Sequence, residues 1–364
     1  MWNNRCAMPF RLESRGERSA FWGYASPALA IGLTLATMGL LFAIMGAPPL
    51  LSLETFLISP LTSPAGLAAL AVRAAPLIMI GAGLALCYRA NVWNIGGDGQ
   101  FTLGAIVGGG IALALPNAPF WALYPLVLAG GIAGGMGWAA IVAVLKLRFN
   151  ANEILTSLML VYIAQLVLVW LVTGPWRDPA GFGFPQSALF SAGATTPTLT
   201  HGVHLGCLVA PMLAGALWVV MSRSVLGFQL RVLGQAPRAA RYAGFEPGRL
   251  TLIALLISGG LSGLAGIFEV TGPIGQLTTT ITPGYGFTAV IVAFLGRLHP
   301  LGVILAGLLL ALSYLGGDAL QIDLNLPNAI TGIFQGVLLF YLLGADVLIL
   351  YRLRYRRSLR AVSA

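Results

Sequence analysis

Apolar residues arrive in long unbroken blocks along this chain, and the polar ones collect between the blocks. Ten blocks stand out, at roughly 27–46, 65–88, 95–115, 121–147, 154–173, 203–221, 250–271, 286–297, 301–316 and 328–351. Most are about 20 residues long, the length an α-helix needs to cross roughly 30 Å of hydrocarbon. They are continuously apolar and do not alternate, so they predict helices and not the strands of a barrel. The eighth block is the short one. At about a dozen residues it predicts a half-helix or re-entrant element, stable where protein or a cavity covers its backbone.

Composition agrees with the pattern. Of 364 residues, 58% are hydrophobic and 9% charged, against about 25% charged in soluble domains. The fold class expected is an all-α integral membrane protein of about ten transmembrane helices. The net charge of +9 comes from 20 basic and 11 acidic residues, and Lys146 is the only lysine. These charges sit between the apolar blocks, so they speak to orientation and not to a nucleic-acid partner. With the N-terminus in the cytoplasm, eighteen of the 20 basic residues fall on the cytoplasmic side, as the positive-inside bias requires. Both termini inside demand an even number of crossings, which fits ten. The organisation expected is a cytoplasmic tail at 1–26, a transmembrane domain at 27–351 and a basic cytoplasmic tail at 352–364. The first apolar run is long for a cleaved signal and reads as a retained anchor. Cys6, Cys87 and Cys207 are too scattered for a disulfide or zinc framework.

Chemistry is sparse. A nucleotide-binding P-loop needs a lysine after a glycine-rich turn, and Lys146 stands in AIVAVLKLR. The chain is therefore expected to hold no cofactor and no metal, and any ATP and Mg must sit on a partner. No nucleophile has a convincing base. The most unusual local stretch is Asn91 to Gln100, with Asn94, Asp98 and Gln100 among three glycines. Glycines permit unwound backbone, and a break near a membrane helix can build a polar site for a hydroxyl-rich solute. The alternative is a tight turn in which Asp98 caps the helix that follows. Asn152 and Glu153 open the fifth block, as pathway residues or as a cap on the helix dipole. Glu269 lies near the outer end of the seventh block, and His201 and His204 form an HxxH pattern without a further ligand. Pairs of small residues four apart, such as Gly104/Gly108, Gly131/Gly135 and Gly259/Gly263, predict close helix packing. The cytoplasmic loop at 222–249 is basic, and Pro237 and Gly244 bracket a short helix carrying Arg238, Arg241 and Tyr242. Such a helix suits docking of another protein, or anchoring on lipid headgroups.

At these residues the chain resembles the permeases of bacterial ABC importers of the branched-chain amino acid/ribose superfamily, within the nucleoside and simple-sugar group. Asn94-Ile95-Gly96-Gly97-Asp98-Gly99-Gln100 is similar to that group's NIGxEGQ signature, with Asp98 one methylene shorter than the usual glutamate. Asn152 to Leu160 followed by Tyr162 resembles its NEVxxTLMLNYIA segment, with Val161 in place of Asn. Gly234 to Gly244 is similar to its coupling loop, and 284–302 to its GYGFxxIxVAxLGRxxPLG stretch. The resemblance implies a type II ABC importer permease fold in the bacterial plasma (inner) membrane. It implies an ABC ATPase subunit, a second permease chain and a Bmp-type solute-binding lipoprotein as partners, with nucleosides as cargo and a simple sugar or another small solute as the alternative; an ion-coupled secondary transporter is the rival of another class. It implies, too, that Gly234, Pro237, Arg238, Arg241, Tyr242 and Gly244 couple to the ATPase. Asn94, Asp98, Gln100, Asn152 and Glu153 are then the expected pathway or gate residues, working by alternating access.

Overall fold

A computed structural model describes residues 10–14, 20–200 and 202–355. Among these the helices are α1 Ala20–Ile44, α2 Pro49–Leu57, α3 Pro64–Arg89, α4 Gly97–Ala114, α5 Phe120–Phe149 and α6 Glu153–Thr173. There follow α7 Leu205–Arg223, α8 Val225–Gln235, α9 Pro237–Tyr242, α10 Pro247–Glu269, α11 Tyr285–Leu295, α12 Pro300–Leu324 and α13 Ala329–Leu350. Eight helices are long and apolar enough to cross a membrane. With α4 and α11 they match the ten apolar blocks, and the protein is an all-helical integral membrane protein. The first helix begins seven residues before the block at 27 and carries Pro27 inside it, because a helix continues past its apolar portion when the flanking residues are good helix formers.

Two compact units make up the chain. The first comprises 1–55 and 320–364, and the second 56–319. In the first, α1 lies against α13 and is tied to it by Ser26 Oγ donating to Asp346 Oδ1 (2.8 Å) and by the Thr37 and Tyr341 hydroxyls (2.9 Å). Strands β1 (Phe10–Ser14) and β4 (Tyr351–Tyr355) pair antiparallel, Phe10 opposite Tyr355. The remaining tail residues fall outside those described.

The second unit is built on α3, α4, α5 and α10. A methyl added to Gly104 or to Gly135 would overlap the backbone at Gly263, and one added to Gly259 would overlap Gly135. Three helices therefore cross at backbone contact, which only residues without a Cβ allow. The close-packing reading of the small-residue pairs describes this junction.

One helix of this unit is too short for a crossing. The 11 residues of α11 extend about 16 Å at 1.5 Å each, half the hydrocarbon thickness. Its chain reaches that point through the non-helical 275–284, as α4 is reached through 90–96. Their first turns meet: Gly97 faces the Gly286 Cα, and the Phe101 and Tyr285 rings touch edge to face. From this junction α11 runs toward the end of α3, where Phe294 stacks on Tyr88. In the other direction α4 runs toward Trp176, which packs on Gly110. The long 174–202 loop is zipped to the stretch after α10. Ser187 N–H donates to Leu277 O (2.8 Å), Phe190 N–H to Gly275 O (2.9 Å) and Thr196 N–H to Thr271 O (2.9 Å).

Candidate functional site: the α4–α11 clasp and the α8–α9 projection

Asn94, Asp98 and Gln100 are all buried to within 1%, and the structure brings them together at the α4–α11 junction. The Asn94 and Gln100 amides pair reciprocally, each NH2 donating to the other's carbonyl at 3.0 Å. Asn94 Nδ2 also donates to Ser258 Oγ of α10 (3.1 Å), and its Oδ1 accepts the Gly96 N–H (3.0 Å). An asparagine side chain offers two donors and one doubly accepting oxygen, so Asn94 has no capacity left over. Its carbonyl accepts the Tyr88 hydroxyl at 2.9 Å, and Ser157 of α6 receives the Ile95 N–H at 3.1 Å. The unwound stretch is thereby bonded to α3, α6 and α10 at once.

Asp98 does a different job. Its Oδ1 accepts the Gly286 N–H (2.8 Å) and the Thr282 hydroxyl (3.0 Å). Thr282 Oγ1 in turn accepts the N–H groups of Gly284 and Tyr285. The carboxylate that opens α4 thus caps α11, 188 residues away along the chain. A helix N-terminus exposes unpaired N–H groups and a positive dipole end, and at membrane depth no water is there to satisfy them. Asp98 does not cap α4, the helix that follows it; its hydrogen bonds go to the start of α11 instead.

Asn152 and Glu153 lie at the start of α6, where the Glu153 carboxylate accepts a hydrogen bond from the Trp93 backbone beside Asn94. Asn152 Oδ1 accepts the Ile154 N–H at 2.9 Å as the N-cap of α6, and Glu153 pairs with Lys146 of α5. Glu269 is buried at the end of α10, close to Tyr285 and Arg73, and Arg73 meets Asp318 of α12 at 3.2 Å. His204 is also buried, its Nδ1 accepting the Gly206 N–H (3.2 Å) and its ring beside Phe268. Burial holds its pKa below the ordinary histidine value. His201 lies outside the described residues, among which no cluster of three or more metal-ligating side chains occurs. Ser157, Ser258, Thr282 and Gly286 complete the clasp and are not singled out as site residues in the sequence, because an isolated hydroxyl or a glycine N–H carries no spacing signal.

The basic loop between α7 and α10 forms two helices. In α9, Pro237 supplies the first helical residue, and Gly244 at φ +79° ends it with its N–H on Arg241 O and the next on Ala240 O. This is a left-handed helix stop that favours glycine. Ala240 faces inward, while Arg238, Arg241 and Tyr242 face out, Tyr242 at 93% exposure. The Phe228 and Phe245 rings meet edge to face and hold α9 to α8. Gly234 of α8 lies directly on the Arg89 carbonyl at the end of α3. The α9 projection is therefore seated, through α8, on the turn that leads into Asn94.

The chain is thus a set of apolar helices, two of which start from non-helical stretches at a shared buried junction, with one basic loop shaped into a projecting helix. Over residues 66–343 it matches the family described as branched-chain amino acid transport system, permease component. The chain belongs to this permease family. The permease is 35% identical over 354 residues to the glucose ABC transporter permease protein of Haloferax volcanii, covering 94% of this chain and 93% of that one. It is 29% identical over 270 residues to the guanosine ABC transporter permease protein of Bacillus subtilis, covering 73% and 77%. The nucleoside ABC transporter permease protein of Lactococcus lactis is similar at 24% over 326 residues, covering 87% and 89%. The permease's part in transport is to form the membrane passage, and its sequence holds no P-loop.

Proposed function

We propose that the permease is the membrane subunit of an ATP-driven importer for nucleosides, worked by an ABC ATPase docked on α9. The observation that carries this reading is the α8–α9 projection, with two arginines and a tyrosine held clear of the membrane helices and seated on the α3 end. Lipid anchoring would need these side chains only near headgroups. A helix bounded by Pro237 and Gly244 and ring-locked to α8 is instead rigid enough to carry displacement. ATP and Mg belong to the ATPase. A second permease chain and a Bmp-type binding lipoprotein complete the assembly, with α9 and both termini on the cytoplasmic side of a bacterial inner membrane. The relatives named for guanosine and nucleosides support the cargo, and the relative named for glucose supports a hexose as the second reading.

In this reading a push on α9 passes through Gly234 to the Arg89 turn, and from there to Asn94, Asp98 and the cap of α11. Two packings of the α4–α11 junction would then be the states that nucleotide biases, since a partner shifts an equilibrium only by differential affinity. Reconstitution with the ATPase, the second permease and the binding lipoprotein in proteoliposomes tests it. Uptake of a labelled nucleoside is expected to require ATP on the ATPase side. Reversing both charges (Arg238→Glu with Arg241→Glu) should cut solute-stimulated ATP hydrolysis about tenfold, the effect of roughly 1.4 kcal/mol, while the protein still inserts. Normal uptake by this variant would remove α9 from the coupling.

A further inference from the structure

Beside the clasp, on the side of α4 facing α6, lies a groove of about 410 Å³ lined by Thr102, Tyr162, Gln165, Leu166, Val169 and the Thr279–Thr282 stretch. Small-molecule sites begin at about 300 Å³, so the groove admits a solute of nucleoside size. Its floor is fixed. Thr102 donates to the Asp98 carbonyl (2.9 Å), and Thr282 donates to the Asp98 carboxylate (3.0 Å). Its far wall continues the stretch that the 174–202 loop holds by backbone hydrogen bonds.

What distinguishes the groove is spare hydrogen-bonding capacity at membrane depth. Gln165 lies twelve residues into α6, about 18 Å along a helix of 1.5 Å rise, near the middle of the crossing. The Gln165 amide and the hydroxyls of Tyr162, Thr279 and Thr280 make no hydrogen bond within the described residues. Outside the groove, Leu155, Met159, Ile163 and Trp170 give the exposed α6 face an apolar character. An amide left unpaired against lipid costs several kcal/mol, so this row of polar groups favours an occupant that can hydrogen-bond. The groove is also two-sided in character. Leu166, Leu168, Val169 and Ile281 give it apolar walls, while Gln165 and the threonines supply a donor and acceptor row.

The geometry points to this groove as the solute's station in the membrane, shaped for a nucleoside. The flat face of the base lies against the aliphatic wall and the Tyr162 ring, and the base edge and ribose hydroxyls meet Gln165, Thr279 and Thr280. A hexose carries hydroxyls around its whole rim and would leave some of them against leucine and valine. The assignment rests on the importer reading above. It also gives the clasp a role in transport: Asp98 holds the groove floor from behind, through Thr102 and Thr282, which line it.

The test uses the complete assembly in proteoliposomes, comparing wild type with Gln165→Leu and Gln165→Asn. Gln165→Leu is expected to raise the KM for labelled nucleoside uptake at least tenfold, with binding of nucleoside by the lipoprotein unchanged and the second permease still co-purifying. Gln165→Asn, which keeps an amide, should recover part of the loss, which a purely structural role would not predict. Wild-type KM in assembled Gln165→Leu complexes would overturn the groove assignment and leave the importer reading standing. Loss of co-purification with unchanged uptake per assembled complex would overturn it as well, making Gln165 a bond between subunits. A wild-type assembly that imports a hexose and no nucleoside would defeat the nucleoside assignment of groove and cargo together.

Discussion

Substituting Gly263 by leucine is expected to leave almost no folded permease in the membrane. A Cβ at this position overlaps the Gly131 carbonyl and meets Gly135 Cα at 2.9 Å. Both belong to the α5 backbone, so no rotamer change relieves the clash. The same glycine receives α4, because a side chain on Gly104 would strike the Gly263 backbone. Separating α10 from both neighbours would forfeit the van der Waals contact that holds membrane helices together, since lipid tails compete with any apolar face. Overpacking a well-filled site costs about 1–3 kcal/mol even where side chains can yield; here only backbone can move. Gly260→Ala supplies the contrast. Its added methyl meets the flexible Met136 side chain at 3.1 Å, and near-normal stability is expected. Detergent-extracted yield and Tm by size-exclusion monitoring read both variants. Wild-type yield and Tm for Gly263→Leu would show that the three-helix crossing does not hold the unit together.

Removing the carboxylate of Asp98 should have the next largest effect. Asp98→Ala orphans the Gly286 N–H and frees Thr282, which itself caps two more N–H groups. An orphaned buried donor costs about 1–3 kcal/mol, and with two bonds lost a reduction in uptake of tenfold or more is expected, each factor of ten being about 1.4 kcal/mol. Asp98→Asn should be much milder. Both bonds fall on one oxygen, and an amide carbonyl can stand where Oδ1 stands. A ligand role for negative charge predicts no such difference, with Asn as damaging as Ala. The comparison is read as initial uptake rate per assembled complex. Equal loss in both variants would mean that charge and not hydrogen bonding is what transport needs from Asp98.

The clasp changes how the sequence signature is understood. Asn94 and Gln100 are six residues apart and share a glycine-rich turn, so a polar knot there was visible in the primary structure. Their burial in a saturated amide pair was not, because Ser258 reaches Asn94 from 164 residues away. Asn152 and Glu153 illustrate the same limit. Their residue types suit a pathway or a cap equally, and only the position of Lys146 across the α5–α6 turn shows what Glu153 pairs with. Gln165 went unremarked for the reverse reason. One amide inside an apolar block changes neither its period nor its length, and it stands out only once the groove it faces is known.

Solvent determined what was legible from the chain by itself. Long apolar blocks can satisfy their backbone in lipid only as helices, so their number, their approximate ends and the shortness of α11 follow from residue order. The limits of α9 follow likewise, because proline and glycine act on the backbone locally. Tertiary structure alone decided which termini and side chains meet: that α4 and α11 start at one point, that Asp98 serves α11, and that the 174–202 loop is zipped to the stretch after α10. These pairings join residues roughly 80 to 190 positions apart, and an apolar pattern says which face is buried without saying what lies against it.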